Sequence, residues 1–304
     1  MPRRAAPLAA ALTASSALLA SGCADRAADS DLAPGLAPPS CAMTFTPYRI
    51  VDLDLPTARP FGGLDLDGDP DDRIDGGLDN QLGALHATIV GASESWNVNP
   101  AIERHLSEDL IWVLEVGRCT DGGDEVRVML SRARDADADG ALELVTRGVP
   151  AVGTRGPRIT ALHGIADVPT GYLTDGGGSF ATDTWQRAFA VGVDLIDDGT
   201  FLTGTLGFAI GRLPDGALAP LAAYATTTLD EDSGIAELWR DEDVDGDGVI
   251  STAEVRPMVD ILMRPDLDLG ACDDDTCYRI FGDDDVRDRA SVGVTIVAGP
   301  TVLE

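Results

Sequence analysis

Twelve residues concentrate the chemistry of this chain. In Asp243-Val-Asp245-Gly-Asp247-Gly248-Val249-Ile250-Ser251-Thr-Ala-Glu254, carboxylates stand at the first, third and fifth positions of a twelve-residue stretch. Gly248 at the sixth position permits a sharp turn, and Val249 presents its backbone carbonyl from the seventh. Ser251 holds the ninth, and Glu254 closes the run with a carboxylate able to chelate through both oxygens. Ile250, at the eighth, is apolar and is expected to turn away from the ion into the protein. Only a hard cation needs so many oxygens at this spacing. Asp243, Asp245, Asp247, Val249, Ser251 and Glu254 are therefore assigned as ligands of Ca2+. A solvated acidic loop is the plainer reading, but chance seldom supplies the glycine and the closing Glu together.

This is the pattern of an EF-hand loop. Ser233 to Arg240 reads as a short entering helix with Ile235, Leu238 and Trp239 on one face. On the exit side, Pro257 falls where the second helix should begin, and it would remove a hydrogen bond and clash with the preceding turn. The exit helix is therefore expected to restart at Pro257 and run only to Met263. The expectation is an EF-like loop without a complete helix–loop–helix. EF-hands commonly pair and dockerins carry two such loops, but no second full match exists here. Neither a calmodulin-like sensor nor a dockerin is favoured.

Two further acidic turns are incomplete. Asp65-Leu-Asp67-Gly-Asp69-Pro-Asp71-Asp72-Arg-Ile-Asp75 is similar in Asp spacing to the calcium repeats of thrombospondin-type stalks. However, Pro70 stands where an EF loop wants Gly, and no Glu closes it. Asp135-Ala-Asp137-Ala-Asp139-Gly140 repeats half an EF loop, with Thr146 in the place of the Glu. Calcium and a plain acidic turn are both open at each. The three His offer little chemistry: His86 and His163 lie on apolar faces, His105 ends a short helix, and none has a metal-ligand partner at helical or hairpin spacing. No nucleophile elbow, Walker loop or dinucleotide fingerprint occurs, so no catalytic or organic-cofactor residue is assigned. A glycosidase-type carboxylate pair could not be singled out among so many acids.

Composition limits the partners. The net charge of -30 and pI near 4.1 argue against nucleic acid, whose phosphates would be repelled. At the N-terminus, Arg3 and Arg4 precede an apolar run, Ala5 to Ala20, too short for a membrane span. The run ends at Leu19-Ala20-Ser21-Gly22-Cys23, which resembles a bacterial lipobox with its Leu displaced by one position. Residues 1–22 are thus expected to be a lipoprotein signal peptide. Residues 23–40, rich in Ala, Pro, Asp and Ser, are expected to form a disordered tether lipidated on Cys23. Ala24 after the Cys, rather than Asp, resembles the sorting signal for the outer membrane, on its periplasmic or cell-surface face.

Strand-like segments follow: Thr44 to Leu53, Leu110 to Val116, Val126 to Ser131, Arg158 to Ala166, Arg187 to Ile196, Phe201 to Leu213 and Ser291 to Val297. Short helices are expected from Asp79-Asn80-Gln81 onward, and over Asn97 to Leu106. This spacing predicts a mainly β chain with an antiparallel β-sandwich-like body. The expected organisation is a β-rich domain over 41–230, an EF-like calcium segment over 231–265, and a C-terminal strand over 266–304 that returns to the β domain. With Cys23 lipidated, four cysteines remain, with three possible pairings. Cys272 and Cys277 bracket a short loop and are expected to pair, leaving Cys41 with Cys119.

Taken together, the Gly77-Leu78-Asp79-Asn80-Gln81 segment, the central strands, the late EF-like loop and the terminal Ser291-Val-Gly-Val strand resemble uncharacterised secreted lipoproteins of Gram-negative bacteria. The resemblance carries no activity with it. The expected function is a calcium-binding, lipid-anchored extracytoplasmic protein of binding, adhesive or structural type, meeting the membrane through Cys23 and a surface protein or polysaccharide through its β domain. The alternative is a secreted hydrolase acting on polysaccharide or another extracellular substrate. A concave site with two converging carboxylates, one of raised pKa, would favour the hydrolase.

Overall fold

A computed structural model describes residues 34–67, 78–92, 97–138, 140–169, 185–231, 234–267, 287 and 289–304. The expected signal peptide, Cys23, the second half of the Asp65–Asp75 turn, Asp139, Cys272 and Cys277 lie outside the described residues.

Among the described residues, apolar side chains at alternate positions make nine strands: β1 (Met43–Asp54), β2 (Ile111–Cys119), β3 (Glu125–Arg134), β4 (Glu143–Thr146), β5 (Ala151–Arg155), β6 (Ile159–Pro169), β7 (Trp185–Asp197), β8 (Leu202–Ile210) and β9 (Ala290–Pro300). Five α-helices accompany them in the described residues: α1 (Gln81–Ala92), α2 (Asn99–Glu108), α3 (Asp215–Thr228), α4 (Gly234–Glu242) and α5 (Thr252–Leu262). The expected mainly β, antiparallel, sandwich-like body is present. Its two layers are opposite walls of one sheet. The strands run in the order β2-β1-β9-β8-β7-β6-β5-β3-β4, and β2 also pairs with β3. That last pairing closes every strand but β4 into a ring.

The pleat then decides which residues meet. Trp112, Leu114 and Val116 of β2 point inward, as do Val126, Val128 and Leu130 of β3 and Val292, Val294 and Ile296 of β9; all belong to one buried cluster. A ring of eight strands leaves an interior that side chains can fill. Trp112 packs edge-on against Phe208, with ring centroids 6.2 Å apart. Outward positions carry ion pairs such as Arg158–Asp194 and Arg187–Asp167, whereas Arg118 of β2 and Asp197 of β7, on the inward parity, pair across one end of the ring. These faces are the reverse of a membrane-spanning barrel's, whose apolar surface points outward.

Turn chemistry explains the tight connections. Between β7 and β8, Asp198 Oδ1 accepts the N–H groups of Thr200 (2.8 Å) and Phe201 (2.7 Å), while Gly199 takes φ +88°. These bonds hold the Asp198 carboxyl below its usual range.

Three expectations change. First, residues 34–40 are not free tether. Arg127 Nη1 donates to the carbonyls of Gly35 and Ala37, and Ser40 N–H donates to Glu125. The strap ends at the Cys41–Cys119 disulfide, which agrees with the expected pairing. Second, the segment expected to hold calcium is not set apart from the chain before 231. Helix α3 belongs with it, because Leu213, Leu218, Ala222 and Ala225 share a core with Trp239, Ile250, Val255 and Val259. Arg212, just after β8, pairs with Asp260 of α5 at 2.6 Å, and Arg256 of α5 pairs with Asp215 of α3 at 2.6 Å. Third, the exit helix does not wait for Pro257. It starts at Thr252 behind a capping box, and Pro257 lies inside it. The box satisfies the first-turn donors, and this outweighs the one hydrogen bond the proline removes.

Candidate metal centre

The loop is set by the helices at its two ends. Helix α4 hands over to it through the Asp243 N–H, which donates to the Trp239 carbonyl at 3.1 Å, and Trp239 is buried. The chain then folds back on itself. Asp243 accepts Gly246 N–H at 3.0 Å and Gly248 N–H at 3.1 Å through its two oxygens. Asp245 accepts Asp247 N–H at 3.1 Å, and Asp247 accepts Val249 N–H at 2.8 Å. Gly246 and Gly248 take φ of +72° and +78°, the left-handed region where a side chain would strain the turn.

This brings one carboxylate oxygen from each of Asp243, Asp245 and Asp247 within 4.8 Å of one another. Glu254 reaches the loop from the first turn of α5. One of its oxygens accepts Val244 N–H at 3.0 Å; the other accepts Ser251 N–H at 2.8 Å and the Ser251 hydroxyl at 2.7 Å. The Ser251 N–H and hydroxyl, followed by the Val244 and Asp245 amides, hold the Glu254 carboxyl below its usual range. It therefore stays ionised and available as an anionic ligand. Ser251 is the N-cap of α5, accepting Glu254 N–H at 3.3 Å. The Val249 side chain is exposed and the Ile250 side chain buried, the alternation expected of positions seven and eight. So the six assigned residues lie on one loop, with three carboxylates clustered and the fourth turned onto the loop's backbone.

A second cluster draws on residues far apart in sequence. Asp65, Asp67 and Asp79 also place one carboxylate oxygen each within 4.8 Å of one another. Asp79 is 1% exposed, accepts the Leu66 N–H, and donates its own N–H to the Leu64 carbonyl at 3.0 Å. The sequence reading placed Asp79 only at the start of a helix, since its approach to Asp65 depends on the fold. The Asp135–Asp137 turn joins β3 to β4.

The remaining candidates are structural. Val98 N–H donates to His86 Nε2 at 3.3 Å, so the ring proton sits on Nδ1 and is donated to the Pro56 carbonyl at 2.8 Å. Burial lowers the His86 pKa and keeps it neutral for both bonds. His163 is likewise lowered by burial, against the pull of Asp65. His105 Nδ1 meets Asp109 at 2.8 Å. Asp54 is raised by burial and by the charges of Asp52 and Glu103, yet both Asp52 and Asp54 are exposed rather than set in a cleft. No family model, curated protein or solved structure matches this chain.

Proposed function

We propose that this is a calcium-binding, lipid-anchored extracytoplasmic protein whose closed β body serves a binding or structural role. The observation that carries the calcium reading is the helix–loop–helix over residues 234–262, with its three converging Asp oxygens and an ionised Glu254 at the twelfth position. The three clustered Asp carboxylates repel without a cation and become ligands with one, and Glu254 supplies a fourth charge from the closing position of the loop. Oxygen donors alone, in a loop that must hold six or more ligands, favour Ca2+ over softer metals. The ion would act as a permanent part of the α3–α5 unit rather than as a signal, because extracellular calcium is plentiful and such sites bind weakly.

Anchoring rests on the lipobox-like Leu19-Ala20-Ser21-Gly22-Cys23 stretch. Cys23→Ala is expected to move the protein to the soluble fraction or leave an unprocessed precursor. A processed, membrane-bound Cys23→Ala protein would remove the anchoring half of the proposal. Calcium titration of the parent and of Glu254→Gln tests the other half: the parent should bind, and the variant should lose that binding.

A further inference from the structure

Within the loop, Ile250 is the one buried residue, and its backbone is met from outside the loop. Thr226 of α3 places its Oγ1 2.9 Å from the Ile250 N–H, 2.9 Å from the Ala222 carbonyl and 3.4 Å from the Ile250 carbonyl. A hydroxyl has one proton. The shorter distance gives it to Ala222, leaving a lone pair to accept the Ile250 N–H. That N–H shares a planar trans peptide with the Val249 carbonyl, the ligand assigned to loop position seven. In such a peptide the two groups point in opposite directions. Holding the N–H against α3 therefore turns the Val249 carbonyl away from α3.

We propose that Thr226 is a positioning residue for the calcium site, fixing the Val249–Ile250 peptide so that the Val249 carbonyl faces the ion. A lone loop is thereby completed by a helix of its own chain, with no second loop and no second copy required. The inference rests on the calcium reading above. It also gives α3 a task that packing alone does not: Leu218 and Ala222 hold the helix in the core, and Thr226 aims a ligand.

The test is calorimetric titration of the full chain with calcium chloride, for the parent, Thr226→Val, Thr226→Ser and Glu254→Gln, with melting of each in EGTA. Thr226→Val keeps the shape and removes the acceptor; it should weaken calcium binding about tenfold, or ~1.4 kcal/mol. Thr226→Ser should return to within about threefold of the parent. A purely structural role would lower the melting temperature in EGTA and leave the calcium affinity alone. Parent-like affinity in a folded Thr226→Val overturns the inference, as does failure of Thr226→Ser to restore binding. Should Thr226→Val not fold, amide exchange in the parent decides. Slow exchange at Ile250 that slows further with calcium supports the anchor, and free exchange in both states overturns it. A parent that binds no calcium overturns the calcium reading and this inference together. An isotherm lost in Glu254→Gln but intact in Thr226→Val overturns this inference alone.

Discussion

The loop at Asp243–Glu254 and the turn built on Asp65, Asp67 and Asp79 both gather three aspartate oxygens within 4.8 Å, by different routes. The first is local. Its acidic residues fall within twelve positions, its turn is set by glycines and Asx-type bonds, and its carboxylates lie near the surface. The second is built by the barrel. Gly192 of β7, Gly207 of β8 and Gly293 of β9 face one another across three adjacent strands. Added Cβ atoms there would stand 3.2 Å, 3.0 Å and 2.8 Å from Leu64 Cδ1, Leu64 Cδ1 and Asn80 Nδ2, respectively. The bare row lets Gly63–Leu64 and Asn80 lie against the outer wall, and only then does Asp79 meet Asp65. A local site needs its own sequence, whereas an assembled one needs three strands in register.

The largest break in this comparison should come at Asn80. It is fully buried, accepts Gly83 N–H (2.9 Å) and Gly293 N–H (2.7 Å), and donates to the Gly62 (2.8 Å), Phe61 (3.1 Å) and Gly293 (3.1 Å) carbonyls. Asn80→Ala leaves several buried backbone groups unpaired and should cost about 3 kcal/mol. A shift of only a degree or two in the melting temperature would show that the turn is not held this way. Gly207→Ala comes next, at roughly 1–3 kcal/mol, because the new methyl meets Leu64 in a packed contact. Neither substitution should alter calcium affinity at the Asp243 loop, and titration of both variants checks that independence.

Acid should act on the packing of helix α1 before it reaches the strap. His86 is neutral in the fold because burial lowers its pKa from 6.5. A base lowered on folding contributes stability above its unfolded pKa and loses it as pH falls. The contribution should therefore fade below about 6.5, once the added proton displaces Val98 N–H from Nε2. Denaturant midpoints between pH 7.5 and 5 read this out. Glu125 responds later. Ser40 first and Arg127 second hold its carboxyl down to about 2. Its contact with the strap should persist through pH 4.5 and fail only toward pH 2, followed as exchange of the Ser40 amide. The smallest effect is expected from Asp135→Asn, within about 0.5 kcal/mol, since Asp135 lies on a turn away from these contacts.

Much of the barrel was legible because alternation in long strands is a local signal. The runs expected over Leu110 to Val116 and Ser291 to Val297 correspond to β2 (Ile111–Cys119) and β9 (Ala290–Pro300). Segments β4 and β5, with four and five residues, are too short for a period to show. Helix α3 went unseen because Asp-Gly-Ala-Leu-Ala-Pro-Leu-Ala-Ala-Tyr-Ala-Thr-Thr-Thr has apolar and small residues all round, with a proline inside. Pro257 misled in the other direction, since the capping box that overrides it forms only once Ser251 and Glu254 meet. The loop that carries the six residues proposed as calcium ligands was readable from spacing alone. Asp79 and Thr226 were not, since each acts on residues more than ten positions away, across the fold.

The Asp243 loop is proposed to hold calcium as a structural part. This is tested most directly by thermal melting of the full chain in EGTA and in millimolar calcium, with Glu254→Gln beside it. If calcium stands at ~100 times its dissociation constant, the native state gains about 2.7 kcal/mol, or roughly 5–10 °C for a domain of this size. That rise is expected in the parent, and its loss, in large part, in Glu254→Gln. Equal melting temperatures in EGTA and calcium, with no calcium bound at millimolar concentration, would contradict it.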